Sequence, residues 1–397
     1  MTAPQINIRR HIGIACYLLV GCYLLVALYL LSGLTGPGRF YRSGVPAGAD
    51  FVQIWAASSL AAQGRAPLVY DPAELYKVET AVIGGDFDSI LPFHYPPPFL
   101  LLILPFSSLN YLAALAVWLF IPLAALLAIL YKIIPDRLTV WLALAAISTV
   151  QNLFYGQGAF LVAALLGGGL LLVDDRPVLA GLLFCLVLNY KPHLGLLLPV
   201  ALLAGRQWRA LGALAAATAV LVLASAWVLG PETWLAYWHD LPLMRAQLAD
   251  ANLWDRMPTV YGSIRLWGAG AGPALLVQII VSAAVLAGVY WVWRRRASLP
   301  LRAAVLVLGT LLATPHALNY DLTLILLPIA WVAGESYNSQ WGTGTGLILV
   351  LAWLTPFIDL IASVSGKIHP APLILAAWLI YLIARVAAGA KKPVITG

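Results

Sequence analysis

Asp50 is a candidate for proton transfer. It opens the stretch Asp50-Phe51-Val52-Gln53-Ile54-Trp55, whose apolar residues are spaced as in a helix lying on a membrane surface. An ionised carboxylate there can accept a proton from a substrate hydroxyl. Asp is also a favoured helix N-cap, and a Gln three residues later resembles a capping box. Both interpretations stay open, because a capping carboxylate remains ionised.

His94 and Tyr95 stand directly before three consecutive prolines. Proline fixes its own backbone angle, so this entry to the next apolar run is rigid and extended. The rigidity would hold both side chains towards a site. The alternative is that the prolines only mark the start of a helix.

Lys191 lies near the middle of the apolar stretch 177–204, about fourteen residues from either end. A lysine at that depth needs an anionic partner or a water-filled cavity, since its stem is too short to reach an interface. Its own run contains no acidic residue close by, so a bound phosphate is the expected partner.

A second polar cluster interrupts two apolar runs at 314–321. His316, Asn319 and Tyr320 are three and four residues apart, and therefore share one face of a helix. A lone histidine in such a place is usually a packed structural residue. The clustering with Asp321 favours a functional site instead.

The elements that must position these residues are membrane helices. The 397 residues are 62% hydrophobic and 10% charged, with a mean hydropathy of +0.90, whereas soluble chains carry roughly 25% charged residues. Backbone groups in hydrocarbon must be satisfied within their own segment, so the apolar runs are predicted to be helices. Clear spans lie at 12–34, 111–131, 209–230, 272–293, 342–362 and 371–389, and shorter or interrupted runs at 98–109, 138–152, 158–173, 177–204, 301–314 and 316–333.

This pattern predicts an all-α polytopic membrane protein formed by a single domain over residues 1–397, with about twelve transmembrane helices. The short and proline-broken helices are predicted to surround a cavity that opens to the exterior, because such breaks are tolerated at membrane depth only where they line protein or water. The first run is longer than a signal-peptide core and lacks a cleavage site, so we expect a retained anchor helix.

The net charge of +7 does not indicate nucleic-acid binding, because the basic residues sit in short turns between helices. This positive-inside pattern predicts that both termini are cytoplasmic. The clusters are Arg9–Arg10, Arg206 with Arg209, Arg294–Arg296 with Arg302, and Lys391–Lys392.

Two polar regions, 35–98 and 231–271, are then predicted to be loops on the external face. The first contains the amphipathic stretch and Asp50. The course of 177–204 stays open: it crosses once, or it forms a helix pair that turns at Lys191-Pro192 and makes 98–109 re-entrant. The second course places Asp174 on the cytoplasmic side.

No metal site, cofactor site or nucleotide-phosphate loop is indicated. Cys16, Cys22 and Cys185 lie inside apolar runs and show neither disulfide nor metal spacing. Carboxylates paired at metal-ligand spacing do not occur, although Asp86 and Asp88 lie close together.

The motifs together resemble glycosyltransferase family 87, a group of GT-C-type membrane enzymes that includes the mycobacterial phosphatidylinositol-mannoside mannosyltransferases. The resemblance is carried by residues spread over most of the chain: Gly48-Ala49-Asp50-Phe51, Gly64, Leu68-Val69-Tyr70-Asp71, Tyr95-Pro96-Pro97-Pro98-Phe99, Gly156-Gln157, Lys191-Pro192, Pro315-His316 and Tyr320-Asp321.

The resemblance implies a GT-C-type fold in the cytoplasmic membrane, with its active site facing the periplasm or exterior. It implies inverting transfer of a hexose, such as mannose, from a polyprenyl-phosphate donor to a lipid or glycan acceptor. A catalytic aspartate of the first external loop falls on Asp50, and a histidine near the donor phosphate falls on His316.

The chemistry of the remaining residues agrees with this. A leaving lipid phosphate needs cations or hydrogen-bond donors more than a general acid, and Lys191, His316, Arg256 and Arg265 are the candidates. Sugar recognition is expected from aromatic faces and polar groups: Trp55, His94, Tyr95, Trp254, Asn319 and Tyr320.

Two other functions fit parts of the sequence. A transporter or lipid-sugar flippase would use Lys191 and His316 along a substrate or proton path, but no internal repeat is visible. A polymerase resembling O-antigen ligases would use a diphosphate donor and a larger late external loop than the one after residue 333.

Overall fold

A computed structural model describes residues 8–36, 38–87, 91–248, 251–338 and 343–389. Within these ranges the chain is helical and contains no strand, only one isolated bridge between Phe40 and Pro46. The expected positions of Asp88, Lys391 and Lys392, and of both termini, lie outside the described residues.

The α-helices are α1 (Ile8–Leu31), α2 (Phe51–Ala62), α3 (Pro72–Ile83), α4 (Pro97–Ile103), α5 (Tyr111–Ile133), α6 (Arg137–Ala145), α7 (Ile147–Tyr155), α8 (Ala159–Leu172), α9 (Pro177–Tyr190), α10 (Pro192–Gly195), α11 (Leu197–Ala204), α12 (Trp208–Leu229), α13 (Pro231–Leu248), α14 (Ala251–Trp254), α15 (Val260–Leu266), α16 (Ala271–Arg294), α17 (Leu299–Ala313), α18 (Leu326–Asn338), α19 (Thr343–Gly366) and α20 (Ala371–Gly389). Short 3-10 helices occupy Ser32–Thr35, Ala66–Tyr70, Leu104–Ser108 and Asn319–Ile325.

Six described helices are long and apolar enough to cross a membrane: α1, α5, α12, α16, α19 and α20. These are the six clear spans that the sequence predicts. The pair α6–α7, bent by 59°, makes a seventh if it is one span. The other apolar helices are shorter than a full crossing, so the number of about twelve stays a prediction.

Polar contacts define one end of the helix bundle, here called the basic end. Asp174 accepts hydrogen bonds from Gln207 at 2.8 Å and from Arg302 at 2.6 Å, and Arg9 pairs with Asp136. The arginine clusters at 206–209 and 294–302 adjoin these contacts in the chain. The opposite end, which holds Asp50, is called the site end.

The apolar stretch 177–204 is a helix pair that turns at Lys191. Helix α9 ends at Tyr190, α10 starts at Pro192, and Gln207 after α11 returns to Asp174 before α9. Gly181 of α9 packs against Ala210 of α12, where a Cβ atom would lie 2.3 Å from the carbonyl oxygen. Of the two courses left open by the sequence, the structure has the second, which places Asp174 with the basic residues.

Segment 97–109 enters and leaves at the site end, as that course requires. Its beginning, Phe99, stacks on Tyr190 with ring centroids 4.3 Å apart. Its end, the carbonyl of Leu109, accepts a hydrogen bond from Trp55 at 3.1 Å. Both ends of this segment therefore lie at the site end, and its re-entrant course in the membrane stays a prediction.

The two polar regions meet at the site end. Region 35–98 contains α2 and α3, and region 231–271 contains α13, α14 and α15. Tyr70 packs edge-on against Tyr237 of α13 at 5.6 Å, and His94 Nδ1 lies 3.4 Å from Asp240 Oδ2. Neither region is simply a loop, because each folds into short helices that pack on each other.

Candidate functional site

Two interlocked glycine turns place Asp50. Gly48 and Gly156 have φ angles of +66° and +69°, and a Cβ atom on Gly156 would lie 2.8 Å from the Gly48 carbonyl oxygen. The Asp50 N–H donates to the Tyr155 carbonyl at 2.8 Å. The sequence Gly48-Ala49-Asp50 is thereby locked against the turn between α7 and α8.

The Asp50 side chain does not cap α2. It occupies the N-cap position but accepts no hydrogen bond from the first turn of the helix. Instead, Gln157 Nε2 donates to Asp50 Oδ2 across the glycine turns. The capping interpretation is wrong, whereas Asp71 of the same region does cap its helix, accepting from the Ala73 and Glu74 N–H groups.

Burial raises the pKa of the Asp50 carboxyl group above its usual range. The hydrogen bond from Gln157 and the charges of Lys191 and Arg256 lower it again in part. The charges of both cations therefore reach Asp50, whereas its hydrogen-bond partner is Gln157. A carboxylate whose pKa is moved towards neutrality accepts a proton more readily than an ordinary one.

Lys191 has a protein partner that its own stretch did not reveal. Its Nζ donates to Asp321 Oδ1 at 2.7 Å, and only 4% of Lys191 and 2% of Asp321 are exposed. Asp321 Oδ2 also accepts the Leu318 N–H at 3.0 Å. The expectation that a phosphate is the anionic partner of Lys191 is wrong in this respect. Asp321, which lies 130 residues further along the chain, already balances the charge of Lys191.

Asn152 joins the two turns that carry these groups. Its side-chain amide donates to the Tyr320 carbonyl at 3.0 Å and to Thr323 Oγ1 at 2.8 Å. Its side-chain oxygen accepts the Ala159 N–H at 3.1 Å. The turn bearing Gln157 and the 3-10 helix bearing Asp321 are thereby fixed to each other. In the sequence, Gly156-Gln157 stands out only through the family resemblance.

His316 faces His193, with ring centroids 5.6 Å apart. Burial, together with the nearby charge of Lys191, lowers the pKa of His316 to about 4, although Asp321 acts in the opposite sense. The imidazole is uncharged at neutral pH, and its buried Nδ1 has no hydrogen-bond partner among the described residues. It offers a hydrogen bond to a ligand, not a fixed positive charge.

Arg256 and Arg265 differ in their surroundings. Arg256 is exposed, and its carbonyl accepts the Asn319 N–H at 3.0 Å. Its segment is held from the other side by His369, whose Nε2 contacts the Trp254 carbonyl at 2.6 Å. The Arg265 guanidinium lies 4.1 Å from the centre of the Trp254 ring. Arg265 therefore supports the segment on which Arg256 is presented.

The remaining candidates lie around this centre. The Tyr95 carbonyl accepts from Tyr70 at 2.8 Å and its ring packs on Tyr190 at 5.2 Å. The ring of Tyr320 lies 5.0 Å from Lys191 Nζ. The Oδ1 atom of Asn319 is buried and has no partner within the described ranges. The indole N–H of Trp55, by contrast, is used to bind Leu109.

The described residues contain no group of three or more His, Cys, Asp or Glu side chains that could hold a metal ion. The expectation that no metal takes part stays a prediction.

Among known proteins, the sequence model of glycosyltransferase family 87 matches residues 93–315, more than half of the chain. No curated protein and no solved structure matches the chain. The matched range contains Gln157, Lys191 and Arg256 but not Asp50, so the place of Asp50 in the site depends on its contact with Gln157.

Proposed function

The chain belongs to glycosyltransferase family 87, and we propose that it transfers one hexose, such as mannose, from a polyprenyl-phosphate donor to a lipid or glycan acceptor. The observation that carries this proposal is the half-buried Asp50, held by Gln157 and influenced by Lys191 and Arg256. This arrangement supplies a base beside cations, which are the two things that such a transfer needs.

In the proposed reaction, Asp50 removes the proton of the acceptor hydroxyl as that oxygen bonds to the anomeric carbon. The bond from this carbon to the phosphate oxygen breaks, and polyprenyl phosphate leaves with the electron pair. Asp321 and Asp240 are engaged by Lys191 and His94, so neither competes for the role of base. One base and one displacement give inversion at the anomeric carbon.

The departing phosphate is proposed to lie against Arg256 first, and the charges of the described site support this proposal. Lys191 is balanced by Asp321, and His316 is neutral. Arg256 is exposed and its charge reaches Asp50. The ammonium of Lys191 has further N–H groups, and His316 has an unpartnered nitrogen, so both donate hydrogen bonds to the phosphate while Arg256 supplies the net charge.

Arg256→Gln should lower kcat/KM for the donor by about 10- to 100-fold, the usual effect of one hydrogen bond to a charged group. Arg265→Gln is the matched control. It should have a smaller effect, because its guanidinium stacks on Trp254. Steady-state kinetics with donor and acceptor varied separately measure both. A larger loss in Arg265→Gln would contradict the assignment.

Sugar recognition is proposed for the groups around Asp50. The unpartnered Oδ1 of Asn319 can accept a sugar hydroxyl. Tyr95, Tyr320 and His94 are proposed as further sugar contacts, and the ring of Trp55 is proposed for stacking, since the N–H of that ring is already bonded to Leu109.

The pH dependence of kcat/KM should follow the ionisation of the Asp50 carboxyl group. The base works only when ionised, so activity falls as the pH drops through its raised pKa. Gln157→Met removes a hydrogen bond that favours the ionised form. The pKa should rise further, and the acid limb of the kcat/KM profile should move to higher pH. An unchanged acid limb would show that Gln157 does not act on the base.

The site end is proposed to face the periplasm or exterior, and the basic end the cytoplasm. The support is the clustering of arginines at the end opposite Asp50. Both termini would then be cytoplasmic.

This orientation predicts which engineered cysteines an impermeant thiol reagent will label. In a background without the native cysteines, Val45→Cys and Leu248→Cys should react from outside in intact cells. Gln207→Cys and Ser298→Cys should react only after permeabilisation. Labelling of the second pair in intact cells would reverse the orientation.

Incubation of the purified protein with polyprenyl-phosphate sugars and a membrane lipid extract tests the function. Mass spectrometry should show an acceptor heavier by one hexose, and nucleotide sugars should give no product. Transfer from a nucleotide sugar or from a polyprenyl diphosphate, or no transfer from the monophosphate, would contradict the proposed donor.

A further inference from the structure

An open depression of about 460 Å³ lies at the basic end, between the first turns of α1 and α6. It is remote from the site end, because Arg9 and Asp136, which pair beside it, belong to the opposite end of the bundle. Arg10 and Arg137 line it as well. Among the described residues that line it, three guanidinium groups and one carboxylate leave a net charge of two positive units, which favours an anion.

The wall of the depression further along α1 is apolar. Tyr17 packs on Trp141 with ring centroids 4.6 Å apart, and Ile14 and Leu138 lie beside them. Along α1, Tyr17 is about 10 Å further from the helix start than Arg10. The depression is therefore cationic near the starts of α1 and α6, here called its rim, and apolar further along both helices. A bilayer has the same order, with charged headgroups outside the hydrocarbon chains.

Space and exposure agree with a lipid occupant. A Cβ atom on Gly13 would meet nothing within 4 Å, so the backbone of α1 is open on this side. Only 6% of the membrane window of α1 is buried against the rest of the protein. The groove beside α1 is thus open laterally, where the hydrocarbon would be.

We infer that this depression binds the headgroup of one anionic glycerophospholipid. Its phosphate lies against Arg10 and Arg137, and the glycerol and first chain segments lie over Gly13 towards Tyr17 and Trp141. Arg9 is held by Asp136 and shapes the rim. The inference does not depend on the proposed sugar donor.

The test is native mass spectrometry of the purified protein with equal amounts of phosphatidylglycerol and phosphatidylcholine. The wild type should retain phosphatidylglycerol preferentially. Each arginine near an anionic lipid surface is worth roughly fivefold in affinity, so Arg10→Gln with Arg137→Gln should reduce retention by roughly 25-fold. Arg209→Gln with Arg294→Gln, a pair of exposed arginines at the same end, should leave it unchanged.

Gly13→Leu provides a second variant that keeps every charge. It fills the open side of the depression and should also reduce retention of phosphatidylglycerol. Equal loss in the Arg209 and Arg294 control pair would mean a diffuse surface charge and would overturn the site. Effective competition by free glycerol phosphate would identify a soluble anion as the ligand and would overturn the lipid assignment.

Discussion

Asp50→Asn should lower the rate of sugar transfer by about 10²- to 10⁴-fold, the range that general-base assistance supplies. The substitution keeps the shape of the side chain and its contact position beside Gln157, but the amide cannot accept the proton of the acceptor hydroxyl. Substrate binding and the thermal unfolding midpoint in detergent should change little. Initial rates with a labelled donor measure the effect.

Asp71→Asn is the matched control for Asp50→Asn. Asp71 belongs to the same polar region but caps α3 with its side chain. The side-chain oxygen of Asn caps a helix about as well as that of Asp, so this variant should keep its unfolding midpoint and transfer sugar at nearly the normal rate. If Asp50→Asn instead turned over normally and only lost stability, Asp50 would be structural like Asp71.

The second large effect should come from separating Lys191 and Asp321. Removing one member of a buried ion pair leaves an uncompensated charge and costs about 3–5 kcal/mol. Lys191→Met and Asp321→Asn should each lower the thermal unfolding midpoint strongly. The double variant should recover most of the loss, since the side-chain amide oxygen introduced by Asp321→Asn can still accept the Leu318 N–H. Equal destabilisation in the double variant would mean that the pair is not coupled.

The double variant also separates the two roles of Lys191. Because the double variant has neither charge of the pair, we expect it to fold. Any remaining loss of activity then reports how the Lys191 ammonium acts on the substrate. We expect its KM for the donor to be raised while acceptor affinity is retained. If a well-folded double variant had the wild-type KM for the donor, the role of Lys191 would be purely structural.

The sequence predicted the long helices and the main candidate base because these signals are local. Six apolar runs near 20 residues are sufficient to locate α1, α5, α12, α16, α19 and α20. Asp50 and Lys191 stood out because each is a polar group at the edge of, or inside, an apolar stretch. The break at Lys191 was visible from the following proline.

Contacts between distant segments could not be predicted in the same way. Asp321 lies 130 residues from Lys191, and Gln157 lies 107 residues from Asp50. Gln157 reaches Asp50 only because the two glycine turns pack together. The spacing of the two residues in the sequence does not predict this contact. The neutral state of His316 is likewise a result of burial, so its residue type suggested a cation that the folded site does not provide.

The stereochemistry of the product tests the central claim most directly. Asp50 as a single base, with Asp321 engaged by Lys191 and Asp240 by His94, requires one displacement at the anomeric carbon. Nuclear magnetic resonance of the product formed from a β-linked polyprenyl-phosphate hexose should therefore show an α linkage, with polyprenyl monophosphate released in equal amount. A β-linked product would mean that the configuration is retained and would contradict the account.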